Sequence, residues 1–183
     1  MSKICTPEEV YAFWFEKCSR KDWFDGSAEL DSEIKSQFRD THLALAAGPT
    51  EEWRASPQSR LASIVVLDQF PRNIYRGTAL AFATDGLALA EAELALEAGD
   101  DKHVPKEFRI FFYLPFEHAE NIGHQDRSVA LFTELGDVEY LDYAQRHRVV
   151  IASYGRFPHR NQMLGRTSTE AEQRYLTEPG AGF

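Results

Sequence analysis

The sequence predicts an all-α fold of stacked antiparallel helical hairpins, and three observations carry that prediction. Apolar residues recur at the three- and four-residue spacing of a helix, Pro and Gly punctuate the chain where such segments start and stop, and neither strand alternation nor an Asn-Gly hairpin turn occurs. Thr6-Pro7-Glu8-Glu9 supplies an N-cap, a proline at the first helical position and a glutamate at the third, so a first helix is expected over about residues 6–19. After a turn at Trp23-Phe24-Asp25-Gly26, the residues Leu30, Ile34, Phe38, Thr41 and Leu45 share one helical face, and Gly48-Pro49 closes that element. A third helix is expected over about residues 59–70. Thr78 is expected to cap a fourth, in which Leu80, Ala83, Leu87, Ala90 and Leu94 form an apolar stripe ending at Gly99. The aromatic-rich stretch 105–115 fits either a short buried helix or a strand, a choice that periodicity does not make. Helices over about residues 125–135 and 138–154, stopped by Gly136 and Gly155, and a last one begun by Thr169 with Glu172 in a capping box, bring the expectation to seven or eight.

With 183 residues and no internal shift in composition the chain fits one domain, 1–183, long enough to bury roughly two thirds of its unfolded surface. Cys5 and Cys18 are too few for a disulfide framework and sit in no metal-binding pattern, which points to a reducing compartment. No segment approaches the ~20 apolar residues of a membrane span and no apolar leader opens the chain, so a cytoplasmic protein without membrane contact is expected. A net charge of −9 argues against nucleic acid as a partner, because that requires a basic footprint. The charge is nevertheless uneven. Between Tyr143 and Thr169 there are five arginines and two histidines and no acidic residue. Such a local positive field calls for a small anion, or a carboxylate from elsewhere in the fold, as its counterpart.

Two segments echo one another. Phe70-Pro71-Arg72-Asn73 is followed by Arg76-Gly77-Thr78, and Phe157-Pro158-His159-Arg160-Asn161 by Gly165-Arg166-Thr167. Each copy ends an apolar stretch at a proline and lines guanidinium and amide donors along a turn, and together they are expected to build one polar site. Leu61, Ile64, Val65 and Asp68 follow helical spacing, so the Asp68 carboxylate lies on a buried face and needs a cationic partner. The candidate binding residues are Asp68, Gln69, Arg72, Asn73 and Arg76 from one turn, Arg156, His159, Arg160 and Asn161 from the other, and His118, which follows the aromatic run. Glu117, His118 and Glu120 with His124 and Asp126 have neither HExxH nor ExxH spacing, so no metal is expected, and nothing in the sequence calls for a cofactor. Neither cysteine has a histidine nearby in sequence and no serine lies in a GxSxG elbow, which leaves nucleophilic catalysis without support.

The run Leu67-Asp68-Gln69-Phe70-Pro71-Arg72-Asn73-Ile74-Tyr75-Arg76-Gly77-Thr78 resembles the hallmark of a mainly bacterial family, domain of unknown function nine-two-four. Phe13-Trp14-Phe15, Trp23-Phe24, Tyr113-Leu114-Pro115, His118, the segment 125–132 and Gly155-Arg156-Phe157-Pro158-His159-Arg160-Asn161 match it in order, extending the resemblance over about residues 6–176. The resemblance implies a fold similar to tetratricopeptide-repeat proteins and carries no substrate or catalytic residue with it. Three functions fit the sequence. The first is a pocket for a small anion or an acidic or C-terminal peptide group; the second is an enzyme on an anionic substrate with Asp68, His118 or His159 as general acid or base; the third is a scaffold whose polar motifs lock the fold. The sequence leaves the oligomeric state open.

Overall fold

In the computed structural model, which describes residues 3–182, Thr6 starts the first helix through a capping box: its hydroxyl accepts from Glu9 N and the Glu9 carboxylate accepts from Thr6 N. Helix α1 (Pro7–Tyr11) continues as a π-helical stretch, Ala12–Lys17, that ends at Cys18. The expected first helix therefore divides, because Ser19 and Asp22 form a second capping box and begin α2 (Arg20–Phe24). The wider π turn releases the Trp14 carbonyl from the usual ladder, and the Trp23 indole N–H donates to it at 2.8 Å. There follow α3 (Ala28–Ala46), α4 (Pro57–Asp68), α5 (Phe70–Ile74) and α6 (Asp85–Ala98). The aromatic stretch is resolved as a buried helix, α7 (Ile110–Glu117), and α8 (Ile122–Leu135), α9 (Val138–Tyr154) and α10 (Glu170–Tyr175) complete an all-helical chain. No strand occurs among the described residues, and none of their helices is long and apolar enough to cross a membrane.

The chain forms two compact units: one is the chain up to Arg76 together with Leu80–Pro115, the other is Gly77–Ala79 with the chain from Phe116 on. In the first, α4 lies at the centre, packed against α1, α3, α5 and α6, and its segment from Leu61 to Asp68 is buried all round. Aromatic edges seal this core: Phe13 and Phe70 both meet Phe38 with centroids at 4.8 Å, and Trp14 meets Phe70 at 5.6 Å and Phe111 at 5.9 Å. Trp53 is buried in the same unit. In the second unit α8 and α9 form a helical hairpin across Gly136 and Asp137. Val150, Ile151 and Phe157 form one apolar cluster there, with Tyr154 and Tyr175 against them.

The helix stops read from glycine hold: Gly99, Gly136 and Gly155 each take a left-handed conformation at a helix end. The fourth helix departs from expectation in two ways. It begins at Asp85, after a 3-10 turn over Ala79–Phe82, so Thr78 does not cap it. Its stripe of Leu80, Leu87 and Leu94, the kind an amphipathic helix buries, is exposed, and its buried residues are Ala88, Ala92 and Ala95 with Glu91, whose carboxylate Arg54 holds. Alanines allow two helix axes to approach closely, so the small face wins the core position and the leucines stay outside. Accordingly, Ala92→Leu should cost about 1–3 kcal/mol by overpacking, whereas Leu94→Ala should change stability by under about 0.5 kcal/mol, both read by urea denaturation.

Candidate functional site

The first Phe-Pro turn forms because Pro71 cannot continue α4: the ladder ends at Asp68 and restarts one residue later as α5, with Pro71 in its first turn. Asp68 is 1 % exposed, as its place on the apolar face requires. Gln69 Nε2 donates to its Oδ2 at 2.5 Å, and Arg72 Nη1 lies 3.4 Å from its Oδ1. Arg72 also donates to the Asp68 carbonyl and grips Asp85 with both terminal nitrogens, at 2.9 and 3.1 Å. Burial opposes the Arg72 charge, yet Asp68 and Asp85 outweigh it and hold its pKa above the ordinary arginine value. Asn73 donates to Asp31 at 2.8 Å, and Arg76 forks onto the same carboxylate at 2.6 and 2.8 Å. These contacts keep Asp31 below the usual carboxylate range although partial burial pushes the other way. Beside them the Tyr75 hydroxyl approaches His42 Nδ1 at 3.4 Å, His42 Nε2 donates to Thr84 Oγ1 at 3.2 Å, and Thr84 donates to the Leu67 carbonyl at 2.6 Å. Burial lowers the His42 pKa.

The second turn is built alike, from partners in its own unit. Arg156 forks onto Glu172 at 2.6 and 2.9 Å and donates to the Thr167 carbonyl. Glu172 also closes the capping box of α10 with Thr169, and the Arg156 fork is the largest reason its pKa falls to about 2. Arg166 forks onto Glu120 at 2.6 and 2.9 Å, donates to the Phe157 carbonyl and, through Nε, to Asn161 Oδ1. The Phe157 amide donates to Glu120 as well, so this carboxylate sits in a nest of three donors and titrates below its usual range despite its burial. Asn161 passes its own amide on to Ser168 Oγ. Arg160 donates to the His118 carbonyl at 3.1 Å and lies over the Phe157 ring at 4.5 Å. His159 stacks at a tilt on that ring, its pKa lowered to about 4 by burial and then by Arg160. His147, on α9, points Nδ1 at the Tyr143 carbonyl (2.8 Å) and at Glu117 Oε1 (3.3 Å), and burial depresses it to about 3.

Every candidate residue of the first turn thus lies in one carboxylate-centred cluster around Asp68, Asp85 and Asp31. The second turn, with Arg156, His159, Arg160 and Asn161, is gathered around Glu120, Glu172 and the His118 carbonyl. Three arginines of the basic stretch find acidic counterparts outside it, Arg148 on Asp126 at 2.5 Å joining Arg156 and Arg166, while Arg160 donates to the His118 carbonyl and Arg146 to the Gly180 carbonyl. Among the described residues no three His, Cys, Asp or Glu side chains are grouped as a metal ion requires. Sequence reasoning missed Asp31 and Asp85 and weighed Glu120 only as a metal ligand; they lie 45, 13 and 46 residues from the arginines they hold, too far for a local signal of that pairing. Arg166 stood in the echoed motif and was the legible clue to the Glu120 nest. His147 had no motif at all.

Residues 10–180 match the family described as "Bacterial protein of unknown function (DUF924)", and the chain belongs to it. A solved structure titled as a protein of unknown function from Agrobacterium tumefaciens is 43 % identical, with a TM-score of 0.90 over 94 % of this chain and 97 % of that one. No curated protein matches the sequence.

Two outcomes follow from the pairing. Asp68→Ala should lower stability by about 2–4 kcal/mol in chemical denaturation, because it leaves a half-buried guanidinium with one carboxylate instead of two. Because Glu172 titrates lower in the fold than in an unfolded chain, its contribution is complete above the ordinary glutamate value of about 4.3 and fades as pH falls toward about 2. The stability gap between wild type and Arg156→Ala should therefore be wide at neutral pH and shrink steadily through that acid range.

Proposed function

We propose that this protein is a helical scaffold whose two Phe-Pro turns are ion-pair staples of the fold rather than a shared anion receptor. One observation carries the reading: Arg72, Arg76, Arg156 and Arg166 each place a guanidinium fork on a carboxylate of their own unit. An external anion at these forks would compete with a carboxylate already in place, and at Arg72 it would strand a buried one. The histidines support the same side. A general base works best with a pKa near the operating pH, and His147 at about 3 and His159 at about 4 are far below it. Function in such a scaffold rests on helix faces, the surfaces that stacked hairpins offer to partners. Two buried cysteines without a disulfide agree with a cytoplasmic setting.

A second reading, an anionic group held near His118, His159, Arg160 and Asn161, draws support from the positive surroundings that Arg160 creates for His147 and His159. Thermal-shift titration with phosphate, sulfate and citrate at constant ionic strength separates the two. The scaffold reading expects no saturable shift for wild type, with Arg72→Ala and Arg166→Ala each lowering Tm in the absence of any anion. A saturable rise in Tm that Arg160→Ala abolishes would overturn it in favour of the anion site.

A further inference from the structure

One cleft lies apart from both turns, within the second unit. A hollow of about 410 Å³ separates α9 from the segment that follows α10, and its size is that of a small-ligand site. Asp142, Arg146 and Val149 line it from α9, Glu178 and Pro179 from the facing segment, and the Tyr175 ring joins them. We propose that this cleft binds a primary ammonium group carried on an apolar body, an arylalkylamine in its simplest form.

The facing segment is held in place by specific contacts. Gly180 and Gly182 hold left-handed φ angles of 77° and 97°, and a Cβ on Gly182 would come within 3.3 Å of His159 Cβ, so the backbone runs here as closely as glycine allows. Arg146 donates to the Gly180 carbonyl at 3.4 Å, the Gly182 amide donates to the Tyr175 hydroxyl, and the Ala181 amide donates to the Glu178 carbonyl at 3.2 Å. The walls are therefore set before a ligand enters.

Charge selects the ligand's head. Asp142 and Glu178 are exposed on facing walls, and among the described residues neither carboxylate has a hydrogen bond or an ion pair. Arg146, one turn from Asp142 on the same helix face, is turned to the Gly180 carbonyl and stands over the Tyr143 ring at 5.2 Å. Two carboxylates to one guanidinium leave the lining negative. A compact ammonium brings three donors to such a pair of acids, whereas a metal ion would require a group of three ligands that the described residues do not form. Apolar surface selects the body. Val149 is 60 % exposed, and with Pro179 and the Tyr175 ring it offers contacts that an ammonium alone would leave unused.

Titration of isotope-labelled protein with phenethylamine, followed in proton–nitrogen correlation spectra at neutral pH and fixed ionic strength, tests the proposal. The amides of Val149, Gly180 and Ala181 should shift saturably. Hydrocinnamate, which carries a carboxylate on a similar body, should move none of them, and methylamine should bind more weakly than phenethylamine. Asp142→Asn and Glu178→Gln, shown folded by circular dichroism, should each weaken phenethylamine binding about two- to fivefold, as the loss of an exposed ion pair does, and more when combined. Amides that stay still, an equal response to hydrocinnamate, methylamine binding as tightly as phenethylamine, or full affinity in the folded double variant would each overturn it. The comparison of the three probes needs no variant and decides the matter on wild type alone.

Discussion

A guanidinium taken out of water needs its charge and its donors met, and carboxylates meet them at Arg72, Arg76, Arg156 and Arg166, around which the turns of this protein are organised. Asp68 is placed on an apolar face by the α4 period, so it needs Arg72; Arg72 in turn recruits Asp85 and ties the start of α6 to the end of α4. Arg76 does the same for Asp31 on α3. In the other unit Glu120 binds the Arg166 fork and the Phe157 amide together, which fixes where the second turn leaves α9 and its glycine stop. Each fork joins segments distant in sequence. Their worth lies in specifying one arrangement, since a slipped turn would strand a charge in apolar surroundings.

The same requirement gives an arginine-rich stretch partners inside an otherwise acidic chain. Arg156 and Arg166 direct their donors to Glu172 and Glu120, and Arg148 pairs with Asp126 on the surface. The buried histidines fit this picture. His147 and His159 lie where desolvation and the Arg160 charge both disfavour protonation, so they act as neutral aromatic and hydrogen-bonding groups across the physiological range.

What was legible in the sequence was local. The capping boxes at Thr6 and Thr169, the glycine stops and the buried face of α4 all depend on residues within two turns of each other, and the structure reproduces them. The break after the π-helical stretch was also local, since Ser19 and Asp22 stand at capping-box spacing, but the aromatic run before it read as one uninterrupted helix. The orientation of α6 was not legible, because a helix apolar on two faces gives periodicity no way to choose between them. The candidate site was legible in its donors and not in its acceptors. Arg72, Asn73 and Arg160 stand out in a conspicuous motif, whereas Asp31, Asp85 and Glu120 are ordinary surface-type residues until the fold brings them close.

The placement of the indoles gives the molecule a built-in division of optical labour. Trp14, Trp23 and Trp53 are all in the unit that holds α4, while the unit built on the α8 and α9 hairpin has tyrosine and phenylalanine only. Intrinsic tryptophan emission is therefore a reporter of the first unit alone, whereas the far-ultraviolet helical signal averages both. Where the two unfolding curves coincide the units melt as one cooperative body, and where they separate the gap measures how independently the second unit holds together.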